Sequence, residues 1–280
     1  MRWRDSKESQ NVQDYRGRRT GGGGAMKFGI GGIIALAAAW YFDIDPRLIM
    51  GLLGDEGSTQ AEAPIEAGAP KDEAGQFVSH ILGDTEETWT AIFAQAGREY
   101  PAPMISLFSE GINTGCGSAT SAAGPFYCPV DHNVYIDLVF FRQLETEFAA
   151  QGDFAKAYVI AHEVGHHVQT LLGTSDQVRK AQERGSEAEA NALSVKLELQ
   201  ADCFAGIWAH SADRARQLVE EGDINEALTA ANSVGDDTIQ KRIQGNVRQE
   251  TFTHGSGEQR QMWFRKGYAS GLVQDCNTFQ

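Results

Sequence analysis

Residues 153–173 read DFAKAYVIAHEVGHHVQTLLG. A carboxylate in front, an apolar stripe through the middle and a glycine behind are the marks of a helix of about five turns, capped by Asp153 and stopped by Gly173. Residues four apart share a helix face, so His162 and His166 point the same way and two neutral imidazoles can grip one metal ion. Glu163 falls beside them, off the ligand axis. A carboxylate there can take a proton from a metal-activated water and later hand it to a leaving amine. His167 points about 100° away from His166 and reads as a surface or supporting residue, not a ligand.

A site of this kind needs a third protein ligand, and the chain offers one downstream. Ser186-Glu187-Ala188-Glu189 is a capping box that opens a second long helix reaching about His210. Glu198 and Asp202 lie four apart on one of its faces. Glu198 completes a His-His-Glu set for Zn²⁺ and leaves the fourth position to water. Asp202, one turn on, is placed to accept the spare N–H of a ligand histidine and hold its ring. The neighbours Leu197, Leu199, Ala201, Cys203, Phe204 and Ala205 predict a largely buried helix, where a carboxylate is costly unless paired or metal-bound.

Outward from these two helices the chain divides by composition. Residues 1–27 carry seven Lys/Arg against three Asp/Glu and include the run Gly21–Gly24, which predicts a basic, disordered tail. Phe28 to Phe42, FGIGGIIALAAAWYF, has no charge for fifteen residues. At about 1.5 Å per residue that helix falls short of a ~30 Å hydrocarbon core, but Lys27, Trp40 and Tyr41 can make up the difference at the interfaces. A membrane anchor over 28–45 is the favoured reading, with a cleaved signal peptide and a buried core helix as alternatives. The positive-inside rule then puts the tail in the cytoplasm and the rest outside, on the periplasmic or extracellular side. Residues 46–73 read as an acidic linker and 74–280 as the folded domain, long enough for one well-buried core.

Within that domain the pattern predicts helices at about 74–83 and 85–98, the second opened by Asp84, then loop over 100–132 and a strand over 132–141. Cys116–Cys128 and Cys203–Cys276 are the expected disulfides if the domain lies outside the cytoplasm, although spacing alone does not fix connectivity. Asp236 and Asp237 read as the start of a short helix. His254 sits in a loop ahead of a helix capped by Ser256 and is a candidate donor to a reaction oxyanion; loop histidines bonded to backbone are the plainer alternative. Arg260 and Tyr268 are weaker candidates of the same kind. Net charge is −14, and −18 for residues 28–280 once the basic head is set aside, so nucleic acid is a poor partner.

The set GPFYCP (124–129), AHEVGHHVQ (161–169), ELQADCFAGIWAH (198–210) and THGSGEQRQMWF (253–264) resembles the bacterial neutral zinc metallopeptidase family, with the HExxH plus ExxxD arrangement of gluzincins. The resemblance runs from the basic head to the last residues. It implies a zincin-like catalytic core behind one N-terminal transmembrane helix; the residues themselves read as an α+β fold, mainly helical with a small β-sheet. It also implies His162, His166 and Glu198 as zinc ligands and Glu163 as the catalytic glutamate; the expected substrate, a peptide or protein, follows from the hydrolytic chemistry of the site and is not supplied by the resemblance. The expectation from residues and resemblance together is a membrane-anchored, zinc-dependent peptidase. A non-catalytic envelope protein, using a zinc-stabilised cleft to bind or scaffold a polypeptide, is the alternative.

Overall fold

The computed structural model describes residues 1–17 and 70–280. The anchor expected over 28–45 and nearly all of the linker expected over 46–73 lie outside the described residues. Among those described, no helix is long and apolar enough to cross a membrane.

Strands of three to five residues build a four-stranded sheet. In chain order they are β1 (Val12–Asp14), β2 (Met104–Phe108), β5 (Phe126–Cys128) and β6 (Asn133–Asp137), with β3 (Gly111–Thr114) and β4 (Gly117–Thr120) forming a separate hairpin. The sheet order is β1-β2-β6-β5; β1, β2 and β6 run parallel, and β5 pairs antiparallel with β6. All five β6 residues are buried, because both faces are covered. Ile105, Leu107, Val134 and Ile136 pack on the helices, while Phe108, Cys128 and Tyr135 form a smaller cluster on the other face with Tyr15, Ile112 and Phe126.

Eight helices complete the described residues: α1 (Glu73–Gln95), α2 (Val139–Thr146), α3 (Asp153–Leu172), α4 (Thr174–Gln182), α5 (Glu187–Arg214), α6 (Asp223–Ser233), α7 (Asp236–Gln244) and α8 (Gly257–Ser270). The mainly helical α+β expectation is met. α3 is buried almost all round, from Phe154 to Gln169, against α1, α5 and α6. Two glycines set how closely its partners approach. A Cβ on Gly165 would lie 3.0 Å from the Ala201 carbonyl oxygen, so the missing side chain lets α5 press against α3. A Cβ on Gly267 would lie 1.9 Å from the Cys203 oxygen, so α8 meets α5 backbone to backbone.

Several expectations need correction. Residues 1–17 are not a disordered tail: Trp3 is buried edge-on to Phe77, and Val12 is buried in the edge strand β1. The two helices predicted over 74–83 and 85–98 are one. Asp84 caps nothing, since it is buried in mid-helix, where its carboxylate accepts from Trp208 Nε1 at 2.7 Å and from the Arg216 guanidinium. The predicted loop over 100–132 contains β2, β5 and the β3–β4 hairpin, whose short polar strands carry little apolar alternation. The strand predicted over 132–141 stops at Asp137, whose carboxylate takes the Val139 N–H at 2.9 Å and turns the chain into α2. Asp153 is the first residue inside α3, not its cap; Glu226 of α6 instead accepts the Phe154 N–H at 3.0 Å. The capping boxes at Ser186 and Ser256, the stop at Gly173 and the start of α7 at Asp236 are all as expected. Both expected disulfides are present, and Cys203–Cys276 ties the C-terminal segment to α5.

Candidate metal centre

His162 and His166 project from one face of α3 toward Glu198 on α5. His162 Nε2 lies 3.1 Å from one Glu198 carboxylate oxygen and His166 Nε2 lies 3.3 Å from the other. A four-coordinate ion with ~2.0–2.1 Å bonds needs ligand atoms about 3.3 Å apart, so the donor set has the size of a zinc site. Among the described residues it is also the one group of three His, Cys, Asp or Glu side chains that could hold a metal.

The other imidazole nitrogens are engaged, which fixes the rings. His162 Nδ1 donates to Asp202 at 2.9 Å, as the spacing predicts, and His166 Nδ1 donates to Gln169 Oε1 at 2.9 Å. With each Nδ1–H spent on a partner, each Nε2 is left as a lone-pair donor facing Glu198. Gln169 is itself held, its amide donating to the Leu197 carbonyl at 2.6 Å. Asp202 is wholly buried, and its oxygens accept from the Tyr158 hydroxyl and from Arg260, at 2.8 Å through Nε and 3.0 Å through Nη2.

Charge accounting supports a divalent ion. Glu163 and Asp202 are buried and Glu198 is half-buried, close to a single buried guanidinium, Arg260; with the three carboxylates ionised and both imidazoles neutral the cluster carries two net negative charges that a dication cancels. Burial resists ionisation of Glu198, but the two imidazoles hold its carboxyl well below the usual range. Burial likewise resists protonation of His162, and Asp202 and Glu198 overcome it to hold the imidazole at about 10. Protons on the imidazoles and a metal ion therefore compete for the same negative charge. Glu163, 8% exposed, is pushed up by burial, with the imidazoles opposing. Desolvation of that kind suits a proton acceptor.

His254 stands at the edge of this cluster, placed so that a positive charge on it would help hold Glu198 ionised. Asp236 positions it, accepting the backbone N–H groups of Thr253, His254 and Gly255 at 2.7–3.0 Å and facing His254 Nδ1 at 3.1 Å. Asp236 thus opens α7 and also builds the 253–255 loop. Arg260 is no exposed oxyanion donor; it is buried as the brace on Asp202. Tyr268 bonds Asp213, fifteen residues beyond Glu198 on α5 and about 22 Å along the helix, so it is not part of the site. His167 is not on the surface: it is 1% exposed, with Nε2 donating to the Pro101 carbonyl at 2.7 Å and Nδ1 accepting from Tyr127 at 3.1 Å. Sequence reasoning missed Gln169 and Tyr158. Their spacings, three after His166 and four before His162 on the same helix, could have found both.

A family model described as "Putative neutral zinc metallopeptidase" matches residues 1–279. The chain belongs to this family. Among its relatives, the uncharacterized protein YpfJ of Escherichia coli K12 is 45% identical over 287 aligned residues, covering 100% of this chain and 99% of that protein. The uncharacterized protein Rv2575 of Mycobacterium tuberculosis is 42% identical over 217 residues, covering 74% of this chain and 72% of that one. No solved structure matches. The zinc metallopeptidase family match takes in the whole site, including residues 153–173 and 198–210, and also the N-terminal strand β1.

Proposed function

We propose that the protein is a zinc-dependent peptidase working in an oxidising, extracytoplasmic compartment. The observation that carries the reading is the matched pair of braced imidazoles, each with Nδ1 engaged and Nε2 turned to one carboxylate, with Glu163 buried alongside. His162, His166 and Glu198 are the residues that would hold zinc. Bound there with a position left to water, zinc supplies Lewis acidity toward a substrate carbonyl. Glu163 takes the proton of the attacking water and returns it to the departing nitrogen. His254, oriented by Asp236, donates to the oxygen that gains charge. The disulfides support the compartment, because thiols are kept reduced in most cytoplasms. The acidic body favours encounter with cationic peptides and disfavours nucleic acid.

The test is zinc content and peptide-library cleavage on the full chain, for wild type, Glu163→Gln and Glu198→Ala. One zinc per wild-type chain with cleavage, metal kept but cleavage lost in Glu163→Gln, and metal lost in Glu198→Ala is the expected pattern. Zinc bound with no cleavage beyond that of Glu163→Gln would favour a polypeptide-binding role instead.

A further inference from the structure

The N-terminal segment and the domain that follows residue 70 are woven together at every level. β1 is hydrogen-bonded into the sheet, with Ile105 N–H donating to the Asn11 carbonyl at 2.9 Å and Tyr15 N–H to the Leu107 carbonyl at 2.8 Å. Trp3 Nε1 donates to Asp153, the first residue of the helix that carries the metal-binding histidines. Ser79 Oγ donates to the Ser9 carbonyl at 2.6 Å, and Asn11 Nδ2 donates to Glu86 at 2.7 Å. At the far end, the Arg16 guanidinium grips Asp72 with both terminal nitrogens, at 2.5 and 3.1 Å. The chain therefore leaves the domain at Arg16 and returns to it at the residue Arg16 touches.

From this we infer that residues 1–17 and 70–280 lie on one side of any membrane the protein meets. Strands that share backbone hydrogen bonds cannot be parted by a bilayer, so any crossings between them are even in number. A cytoplasmic head joined to an exported domain by a single span is incompatible with this pairing. So is a signal peptide cleaved and discarded, because that would strip an edge strand and a buried tryptophan from the fold. The sidedness stands apart from the peptidase reading and holds for a catalytic or a non-catalytic protein alike.

The test uses the full chain in intact cells and their membranes. Arg16→Cys/Asp72→Cys places two thiols at a partly exposed contact, and Arg4→Cys and Val130→Cys each place one on an exposed position; Arg4 and Val130 side chains are 64% and 69% exposed. The expected result is near-complete linking of the pair by a short bis-maleimide, with the R4C and V130C thiols labelled by an impermeant maleimide from the same face. The same linking in a chain recovered without membrane also supports the pairing of the two segments on one side. Labelling of R4C and V130C from opposite faces, with no linking of the pair, overturns the inference; so does a mature chain that lacks residues 1–17.

Discussion

The two imidazoles of the candidate metal centre sit on one helix, one turn apart, yet they are held by different means. His166 rests on Gln169, a neutral amide three residues away on the same helix. His162 rests on a charged assembly drawn from across the fold: Asp202 at a separation of 40 residues and, behind it, Arg260 at 58 from Asp202. The nearer brace lies within α3, with the Gln169 amide also tied across to α5 at Leu197 and Gln200. The distant one exists only when α3, α5 and α8 are packed at the spacing that Gly165 and Gly267 permit. One imidazole is thus set by a neutral amide on its own helix and the other by charges drawn from two other helices.

That contrast can be broken most forcefully at Arg260. Arg260→Ala leaves Asp202 buried without its counter-ion and is expected to cost about 3–5 kcal/mol of stability. Gln169→Ala, which removes no charge, should cost far less in the same urea titration. Equal losses would mean that the charged brace is no more tightly coupled to the core than the neutral one.

His167 offers a second arm of the comparison, since it is adjacent to His166 but holds structure, not metal. Burial, with the nearby His132 adding to it against the Pro101 hydrogen bond, depresses its imidazole to about 4, while in the unfolded chain it titrates near 6.5. Between those values the unfolded chain binds the extra proton. This contribution is therefore whole above about pH 6.5 and lost as pH falls toward 4, by about 3 kcal/mol at most. Urea midpoints for wild type and His167→Gln, measured from pH 7 to 4.5, should converge as pH falls. Parallel curves would show that His167 does not supply the acid sensitivity.

The smallest effects separate the two braces by metal affinity alone. Asp202→Asn keeps the shape and removes the charge, and should weaken zinc binding by about 10–100-fold in a chelator competition; Gln169→Ala should fall at the low end of that range. A larger loss for Gln169→Ala would reverse the ranking proposed for the two supports.

The same division explains what could be read from the sequence. The four-residue spacings of His162 with His166 and Glu198 with Asp202, the capping boxes at Ser186 and Ser256, and the stop at Gly173 are all local, and each survives unchanged in the fold. Arg260 was not legible as a brace, because nothing within its own helix shows that its side chain is buried against Asp202. β1 was hidden for a similar reason. Val-Gln-Asp has no strand pattern of its own, and it becomes a strand through pairing with residues more than ninety positions away. Asp84 looked like a cap because a carboxylate before a helical run usually is one; here Trp208 and Arg216 claim it. The two disulfides were named as pairs from the chain alone, and both form.

Residues 198–206 of α5 crowd unrelated duties into little more than two turns. Glu198 faces the metal position, Gln200 donates to the Cys276 carbonyl, Asp202 braces His162, Cys203 forms the disulfide and Gly206 admits α8. Such a stretch has almost no mutational slack, because a change made for packing is also a change at the metal. Directed evolution for heat tolerance will therefore gain most on exposed helices such as α4 and find α5 closed to it. Random variants that lose zinc should cluster in this stretch even when the altered residue never touches the ion.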